Sequence, residues 1–137
     1  MLKQLEVVIG IVTRNGEVLI CQRRDHDSLG GYWEFPGGKM EPGESRETCL
    51  ERELAEELAI RVRPVREMKC IEFDYGEVRV RLYPFVCEHL DGEPQALASQ
   101  RIAWVSPREL QDYKFPPAND GLIADLARQL GTTRDLQ

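Results

Sequence analysis

Three glutamates in one short segment, Glu53, Glu56 and Glu57, form the group in this chain best suited to chemistry. At spacings of three and four residues, their carboxylates project from one face of a helix. Glu53 and Glu57 are like charges four residues apart, which destabilises an isolated helix by roughly 0.2–0.5 kcal/mol. A shared cation would offset this repulsion, and Mg²⁺ and Mn²⁺ prefer hard carboxylate oxygens. The spacing therefore favours a divalent-metal site.

A loop rich in glycine and proline precedes these glutamates. Gly37 and Gly38 carry no Cβ, so their backbone groups can approach an ion or a phosphate closely. Bound divalent ions bridge phosphate oxygens, offset their charge and lower the pKa of a bound water. Attack of water on a diphosphate bond is the simplest reaction that these parts support. Taken alone, the Arg/Glu-rich segment would suit a solvated, salt-bridged helix face equally well; the loop upstream favours the metal site.

The helix that carries the glutamates is predicted to begin near Ser45 or Arg46, with Glu44 or Ser45 as its N-cap, and to end near Leu58–Ala59. An apolar stripe for the core recurs every four residues, at Leu50, Leu54 and Leu58. The glutamate face lies about a quarter-turn from this stripe. One edge of the helix can therefore anchor in the core while the neighbouring edge lines a cleft.

The remaining elements predict a fold that alternates strands with helices. A nearly continuous apolar run at Leu5–Val12 is typical of a strand covered on both faces, and Asn15-Gly16 predicts a tight turn after it. Further strands are predicted at Val18–Gln22, Cys70–Tyr75, Glu77–Glu88 and Ile102–Val105, and Tyr32–Phe35 is a short aromatic segment that runs into Pro36-Gly37-Gly38.

The C-terminal part is predicted to be helical. Pro107–Tyr113 suits a helical turn, and Asn119–Leu130 has the pattern of an amphipathic helix with Gly131 as its stop. Together these elements predict a single α/β domain over residues 1–137, with a mixed β-sheet between helices.

Composition and charge argue against several classes of protein. A net charge of −6 disfavours direct binding to duplex nucleic acid. No apolar run reaches the roughly 18–20 residues that span a bilayer, and the N-terminus lacks the pattern of a signal peptide, so we expect a cytoplasmic protein without a membrane partner.

The four cysteines are widely spaced and are expected to be buried thiols rather than zinc ligands. We expect a monomer or a weak dimer.

The run Gly38–Ile60, GKMEPGESRETCLERELAEELAI, resembles the signature of the Nudix hydrolases, G-x5-E-x7-R-E-U-x-E-E-x-G-U, in which U is a bulky aliphatic residue. Every specified position matches except Ala59, which stands where the family has glycine and puts the local ending of the helix in question. The segments VVIGIV, LICQRR, WEFPGGK and KFPPAND resemble those of the family's 8-oxo-dGTP diphosphatases, and together they span nearly the whole chain.

This resemblance implies a Nudix-type α/β/α sandwich that splits a nucleoside triphosphate into a monophosphate and pyrophosphate, with water attacking the β-phosphorus. It implies Mg²⁺ as the cofactor, with Mn²⁺ as a possible substitute. The implied metal ligands are Glu53, Glu56, Glu57 and a backbone carbonyl of Gly37 or Gly38.

The resemblance also implies supporting roles around the metal. Arg52 would orient the carboxylates, Glu44 would support the loop and the helix, and Arg23 would lie near the substrate phosphates.

Residues that contact the base are predicted less directly. Asn119 falls where the family's asparagine binds oxidised guanine, and its amide could read a purine edge, but it could instead cap the last helix. Phe35 and Tyr75 could flank the base or be ordinary core aromatics. Leu5 and Val7 would add apolar contacts if the first strand lines the pocket.

Two positions depart from the 8-oxo-dGTP diphosphatases. Val78 replaces a pocket arginine, and alternation places Arg79 and Arg81 on the other face of the strand unless its register is shifted. The loop before the IAWVS strand lacks the carboxylate that serves as a candidate general base, since none lies between Pro94 and Pro107. The helix glutamates Glu53 or Glu56 would then take the proton, or metal activation of the water would suffice.

The leading hypothesis is therefore an enzyme that removes 8-oxo-(d)GTP from the nucleotide pool and so protects DNA replication. A related Nudix hydrolase that prefers CTP or a modified pyrimidine triphosphate is the first alternative. The second is a non-catalytic Nudix-like binding module, although such modules typically lose the glutamates that this chain retains.

Overall fold

The computed structural model describes residues 3–74 and 76–135, with side chains as far as Leu130, and in this part of the chain eight strands and two α-helices form. The strands are β1 Lys3–Arg14, β2 Glu17–Gln22, β3 Trp33–Glu34, β4 Gly37–Lys39, β5 Arg61–Glu67, β6 Ile71–Asp74, β7 Val78–Asp91 and β8 Arg101–Val105. The helices are α1 Arg46–Leu58 and α2 Asp120–Asp135, and 3₁₀ helices occupy Pro107–Asp112 and Pro117–Asn119.

All of these strands belong to one mixed sheet, which confirms the predicted α/β fold. The central path runs in the order β3-β2-β1-β7-β5, and β1 lies parallel to β7 from the pair Lys3–Val78 to the pair Thr13–Glu88. Strand β4 pairs antiparallel with β1, β6 with β7, and β8 with β2. Long-range pairing thus brings the glycine strand β4 directly beside the central strand.

Alternating residues of β1 divide the core into two halves, one on each face of the sheet. Val8 and Val12 pack under α1, whereas Ile9 and Ile11 pack under α2. At Gly10 an added Cβ would lie 3.2 Å from Leu54, so α1 crosses close to the strand backbone. The continuous apolar run predicted a strand covered on both faces, and the structure confirms it.

The bounds of α1 agree with the prediction from its sequence. Ser45 is the N-cap, and its hydroxyl accepts a hydrogen bond from the Thr48 amide at 3.1 Å. At the other end Ala59 adopts a left-handed conformation, with φ 59° and ψ 36°, and its amide donates to the Ala55 carbonyl. Ala59 therefore keeps the helix ending for which glycine is the usual residue, at a cost of roughly 1–2 kcal/mol in backbone strain.

The prediction that Gly131 stops the last helix is wrong. Helix α2 begins at Asp120, one residue after the predicted start, and continues through Gly131 to Asp135. Glycine inside a helix costs only about 1 kcal/mol relative to alanine, so it ends a helix only where the chain also turns into a left-handed conformation. Neither helix in the described residues is long and apolar enough to cross a membrane.

The turn and the thiols agree with the predictions from the sequence. Asn15 and Gly16 have φ values of 52° and 77° and join β1 to β2 in a tight hairpin. All four cysteines are free; Cys21, Cys49 and Cys87 are buried and Cys70 is partly buried. The strands β3, β4 and β5 were not predicted, because β3 has only two residues, β4 is a three-residue glycine segment and β5 contains Pro64 and two irregularities of register.

Candidate active site

A cavity of about 370 Å³ opens beside the central strand β1, on the face of the sheet that α2 covers. Its apolar wall consists of Val7, Ile9, Leu29, Phe35, Phe73, Leu82, Ala98 and Pro116. Its polar lining consists of Arg23, Glu34, Gly37, Gly38, Lys39, Glu57 and Asn119. A lining that combines apolar side chains with charged groups suits a ligand that combines a flat base with phosphates.

Two glycines of β4 form the edge of this cavity nearest to α1. Gly37 pairs with Ile9 and Gly38 with Val8. A Cβ at Gly37 would overlap the Val8 carbonyl, and a Cβ at Gly38 would overlap the carboxylate of Glu53. Only glycine therefore lets the backbone of β4 approach both β1 and this carboxylate so closely.

The carboxyl groups of Glu53 and Glu57 lie side by side at this edge. Burial, a hydrogen bond to Glu53 and the negative charge of Glu53 together raise the pKa of Glu57 to about 9, while the Gly37 amide opposes the shift. Because the two carboxyl groups are adjacent, one of them holds a proton. A divalent cation can replace that proton, so the pair fits a divalent cation.

The three glutamates do not converge on one point. Within the described residues, no three His, Cys, Asp or Glu side chains form a group that could hold a metal. The structure brings Glu53 and Glu57 together beside Gly37 and Gly38, whereas the Glu56 side chain is 60 % exposed and pairs with Arg52.

Arg52 is the centre of the charge network behind the pair. Its Nε and Nη2 donate to the two carboxylate oxygens of Glu44 at 2.6 and 3.0 Å. Its Nη1 donates to Glu53 at 3.1 Å and to Glu56 at 3.4 Å. Hydrogen bonds from Arg52 and from the Glu41 amide lower the pKa of Glu44 to about 2, so Glu44 is ionised and holds the loop before α1 to the helix.

Among the described residues, two cations line the cavity, Arg23 and Lys39, and only Arg23 was predicted from the sequence. Arg23 donates from Nη1 to Glu34 at 2.9 Å and from Nε to the Ser28 carbonyl at 2.6 Å. Lys39 and Glu34 flank the glycines in the WEFPGGK segment. Their position next to these glycines is the feature of the sequence from which a place in the cavity could have been predicted.

Asn119 lines the cavity and is 9 % exposed. Its Nδ2 donates to the carbonyl of Pro116 at 3.4 Å, and the residue lies in the 3₁₀ helix that precedes α2. In this conformation the side chain bonds backward along the chain to a carbonyl, which is not the contact that an N-cap makes with a helix amide.

Phe35, one of the two aromatic residues predicted to flank the base or to pack in the core, lies between the cavity and the core. Phe35 lines the cavity but is only 4 % exposed, because its ring packs against Phe115 with centroids 5.0 Å apart. Phe73 of β6 and Leu82 of β7 also line the cavity, and neither was predicted. Tyr75 lies outside the described residues.

The first strand contributes Val7 and Ile9 to the cavity, whereas Leu5 does not line it. Leu5 shares their face of β1 by alternation. It lies beyond the end of β4, however, and lines a separate surface groove with Lys39 and Met40.

Strand β7 keeps an unshifted register beside the cavity. Val78, Val80 and Leu82 pair with successive odd-numbered residues of β1. Arg79 and Arg81 point to the other face, where they pair with Asp74 and Glu72 of β6. No cation therefore replaces the absent arginine at this wall among the described lining residues.

The segment between β7 and β8 covers the C-terminal end of α1. The Leu97 amide donates to the Glu57 carbonyl at 3.2 Å, and the Gln95 amide donates to the Leu58 carbonyl at 2.9 Å. Ala98, which follows, lines the cavity, so this segment closes the site without contributing a carboxylate.

A family model of the NUDIX domain matches residues 7–125, most of the chain. The chain belongs to the Nudix family. The matched range includes the cavity, β4 and all of α1, so the family assignment and the candidate site rest on the same residues.

Curated relatives of this Nudix protein match along nearly its whole length. A Mycobacterium tuberculosis (strain ATCC 25618 / H37Rv) protein with the provisional name 8-oxo-dGTP diphosphatase 2 is 40% identical, over 99% of this chain and 97% of its own. The 8-oxo-dGTP diphosphatase of Escherichia coli (strain K12) is 34% identical over 93% of this chain and 99% of its own. The CTP pyrophosphohydrolase of the same organism is 34% identical over 89% and 90%.

Solved structures support the same assignment. The solution structure of the E. coli ORF135 protein has a TM-score of 0.80 and 33% identity, and the match covers 93% of each chain. The Nudix-type fold expected from the sequence is thereby confirmed.

Proposed function

We propose that this Nudix protein is a metal-dependent nucleoside triphosphate pyrophosphohydrolase that removes 8-oxo-(d)GTP, releasing the monophosphate and pyrophosphate. The observation that carries this proposal is the Glu53–Glu57 pair against the glycine strand, at the edge of a cavity lined by both charged and apolar side chains. The names of two relatives, which refer to 8-oxo-dGTP, support the choice of substrate.

The residues present fit a divalent cation, and we propose Mg²⁺. Glu53 and Glu57 would hold it with a backbone carbonyl of Gly37 or Gly38, and Glu56 would join them by leaving its exposed pairing with Arg52. When bound, the ion supplies charge neutralisation to the phosphates and lowers the pKa of the attacking water.

The other charged groups position the phosphates and the carboxylates. Arg23 and Lys39 present positive charge to the polyphosphate from the cavity wall. Arg52, fixed by its two bonds to Glu44, holds the Glu53 carboxylate in place. The proton of the attacking water passes to a glutamate of α1, Glu53 or Glu56, since Ala98 brings no carboxylate to the site.

One observation favours a second substrate, a pyrimidine triphosphate such as CTP. Leu82 is the residue that β7 contributes to the described lining of the cavity, so this strand supplies no cation there that could contact an oxidised purine, and one relative is named a CTP pyrophosphohydrolase. Asn119 offers both a donor and an acceptor and would suit either base.

Pyrophosphate release from 8-oxo-dGTP, dGTP, CTP and 5-methyl-dCTP, with and without Mg²⁺, tests both candidates. We expect Mg²⁺-dependent release and a higher kcat/KM for 8-oxo-dGTP than for dGTP. A preference for CTP or 5-methyl-dCTP would support the second substrate. If folded protein releases pyrophosphate from no triphosphate, the chain is a binding module and the proposed reaction is wrong.

A further inference from the structure

Arg23, the cation nearest the end of β2, is held from several directions. Its Nε and Nη1 bond to the Ser28 carbonyl and to Glu34. Among the described residues its Nη2 has no hydrogen-bond partner, so this amino group remains available to a ligand in the cavity. A planar guanidinium fixed through two of its three nitrogens presents the third in a defined direction.

The backbone of Arg23 is held by a residue from a distant part of the chain. The side-chain amide of Gln100 donates to the Arg23 carbonyl at 2.7 Å and to Oδ1 of Asp25 at 2.8 Å. The Gln100 amide also donates to the Gln22 carbonyl at 3.0 Å. These bonds join the segment before β8 to the end of β2, across 77 residues of sequence.

The same segment closes the cavity. Its residue Ala98 lines the wall, and Arg24 donates from Nη2 to the Leu97 carbonyl at 3.0 Å. Leu29, in the loop that follows Arg23 and Asp25, lines the cavity as well. Gln100 therefore connects two cavity-lining segments at the point where Arg23, which also lines the cavity, follows the end of β2.

We propose that Gln100 is a positioning residue for triphosphate binding, which holds the Arg23 backbone so that the guanidinium meets the phosphates in a fixed place. This inference rests on the proposed function, because it assigns the cavity to a nucleoside triphosphate. Gln100 itself does not line the cavity and acts through Arg23. The hydrogen bonds to Arg23 and Asp25 both run from the Gln100 side-chain nitrogen to an oxygen, so a carboxylate at this position could not make them.

Steady-state kinetics of Gln100→Ala and Gln100→Glu test this role. We expect KM for the preferred triphosphate to rise about tenfold in Gln100→Ala, the scale of one or two lost hydrogen bonds, while kcat changes less than about threefold. Gln100→Glu keeps the length of the side chain but cannot donate and faces Asp25, so its KM should rise at least as much. Gln95→Ala is the matched control, because Gln95 is an exposed glutamine of the same segment that bonds through its backbone.

A double-mutant cycle with Arg23→Ala separates positioning from a general loss of structure. If Gln100 acts through Arg23, adding Gln100→Ala to Arg23→Ala should raise KM by less than about twofold. Full additivity of the two changes would overturn the proposal, as would kinetics of Gln100→Ala equal to those of Gln95→Ala. Thermal unfolding of each variant shows whether it is folded. If Gln100→Ala does not fold, Gln100→Glu takes its place in the cycle.

Calorimetric binding of an α,β-methylene analogue of dGTP, with Mg²⁺ present, separates this inference from the proposed reaction. If the wild-type protein binds the analogue but hydrolyses no triphosphate, the reaction is wrong and the Gln100 variants should still bind about tenfold more weakly. If the wild type hydrolyses triphosphates and Gln100→Ala binds the analogue normally, only the role of Gln100 is wrong. If the wild type neither binds nor hydrolyses, both proposals fail.

Discussion

The two faces of strand β1 support different parts of the candidate site. On the α1 face, the site is a charge network within one continuous segment, in which Arg52 joins Glu44, Glu53 and Glu56. On the α2 face, it is a mostly apolar wall assembled from β1, β6, β7 and the segment before α2. We infer that the first region determines the reaction and that the second determines the base.

This comparison predicts that variants of α1 reduce turnover for every triphosphate, whereas variants of the cavity wall change the preference among triphosphates. Charged groups fixed close to the reacting phosphates act on all substrates alike. Wall residues act only on the part of the ligand that differs between substrates.

The largest effect is expected from Glu53→Gln. The variant keeps the shape of the side chain but removes the charge beside Gly38 and Glu57. Metal-linked stabilisation of the transition state is worth several kcal/mol, so kcat should fall about a thousandfold for every triphosphate. Pyrophosphate release at saturating Mg²⁺ measures it, with the exposed Glu51→Gln on the same helix as control. Activity above about a tenth of that of the wild type would contradict the role of Glu53 as a metal ligand.

A smaller loss is expected from Arg52→Lys. One ammonium cannot make the paired bonds to Glu44 and also reach Glu53, so the carboxylate should shift. Displacement of a catalytic group by about 1 Å can cost roughly a hundredfold, and we expect a fall in kcat/KM of that order. The control is Arg46→Lys, an exposed change on α1 that faces Glu67 and Tyr83. Equal kinetics of the two variants would contradict the positioning role.

A change in preference is expected from Asn119→Ala. Loss of a hydrogen bond to the base should lower kcat/KM for the preferred triphosphate about tenfold and that for poorer substrates less. Competition between 8-oxo-dGTP, dGTP and CTP measures the ratio, with the exposed Gln111→Ala as control. A uniform loss for all three nucleotides would assign Asn119 to the structure of the turn instead.

The smallest effect concerns stability, at the end of the glutamate helix. Ala59→Gly relieves the left-handed strain and should raise the free energy of unfolding by about 1 kcal/mol. Ala55→Gly, an exposed change inside the same helix, should lower it by about 1 kcal/mol. Urea unfolding followed by circular dichroism measures both. A loss of stability in Ala59→Gly would mean that the cap is not strained.

The α1 region was predictable from the sequence because its determinants are local. Ser45 caps the helix by accepting a hydrogen bond from an amide three residues later in the chain. Arg52 lies eight residues after its partner Glu44. Helical periodicity places Arg52 beside Glu56, and the short distance in sequence brings Glu44 of the preceding loop within reach of Arg52. It did not show that Glu56 would remain with Arg52 while Glu53 and Glu57 pair.

The cavity wall could not be predicted in the same way, because sheet pairing determines it. Phe73 and Leu82 reach the cavity through the pairing of β6, β7 and β1, which no local pattern encodes. Leu5 and Val7 have the same alternation, and only the length of β4 decides which one faces the cavity. The wrong prediction that Gly131 stops the last helix has a related cause, because a residue type was interpreted without knowledge of its backbone conformation.

The cover over the end of α1 uses backbone amides rather than side chains. Since the contacts to the Glu57 and Leu58 carbonyls come from the amides of Leu97 and Gln95, most side chains at these two positions are interchangeable. Proline has no amide hydrogen and is the one residue type that removes either bond outright. Homologous or engineered chains should therefore vary freely in sequence here, but exclude proline at both positions and keep the spacing between them.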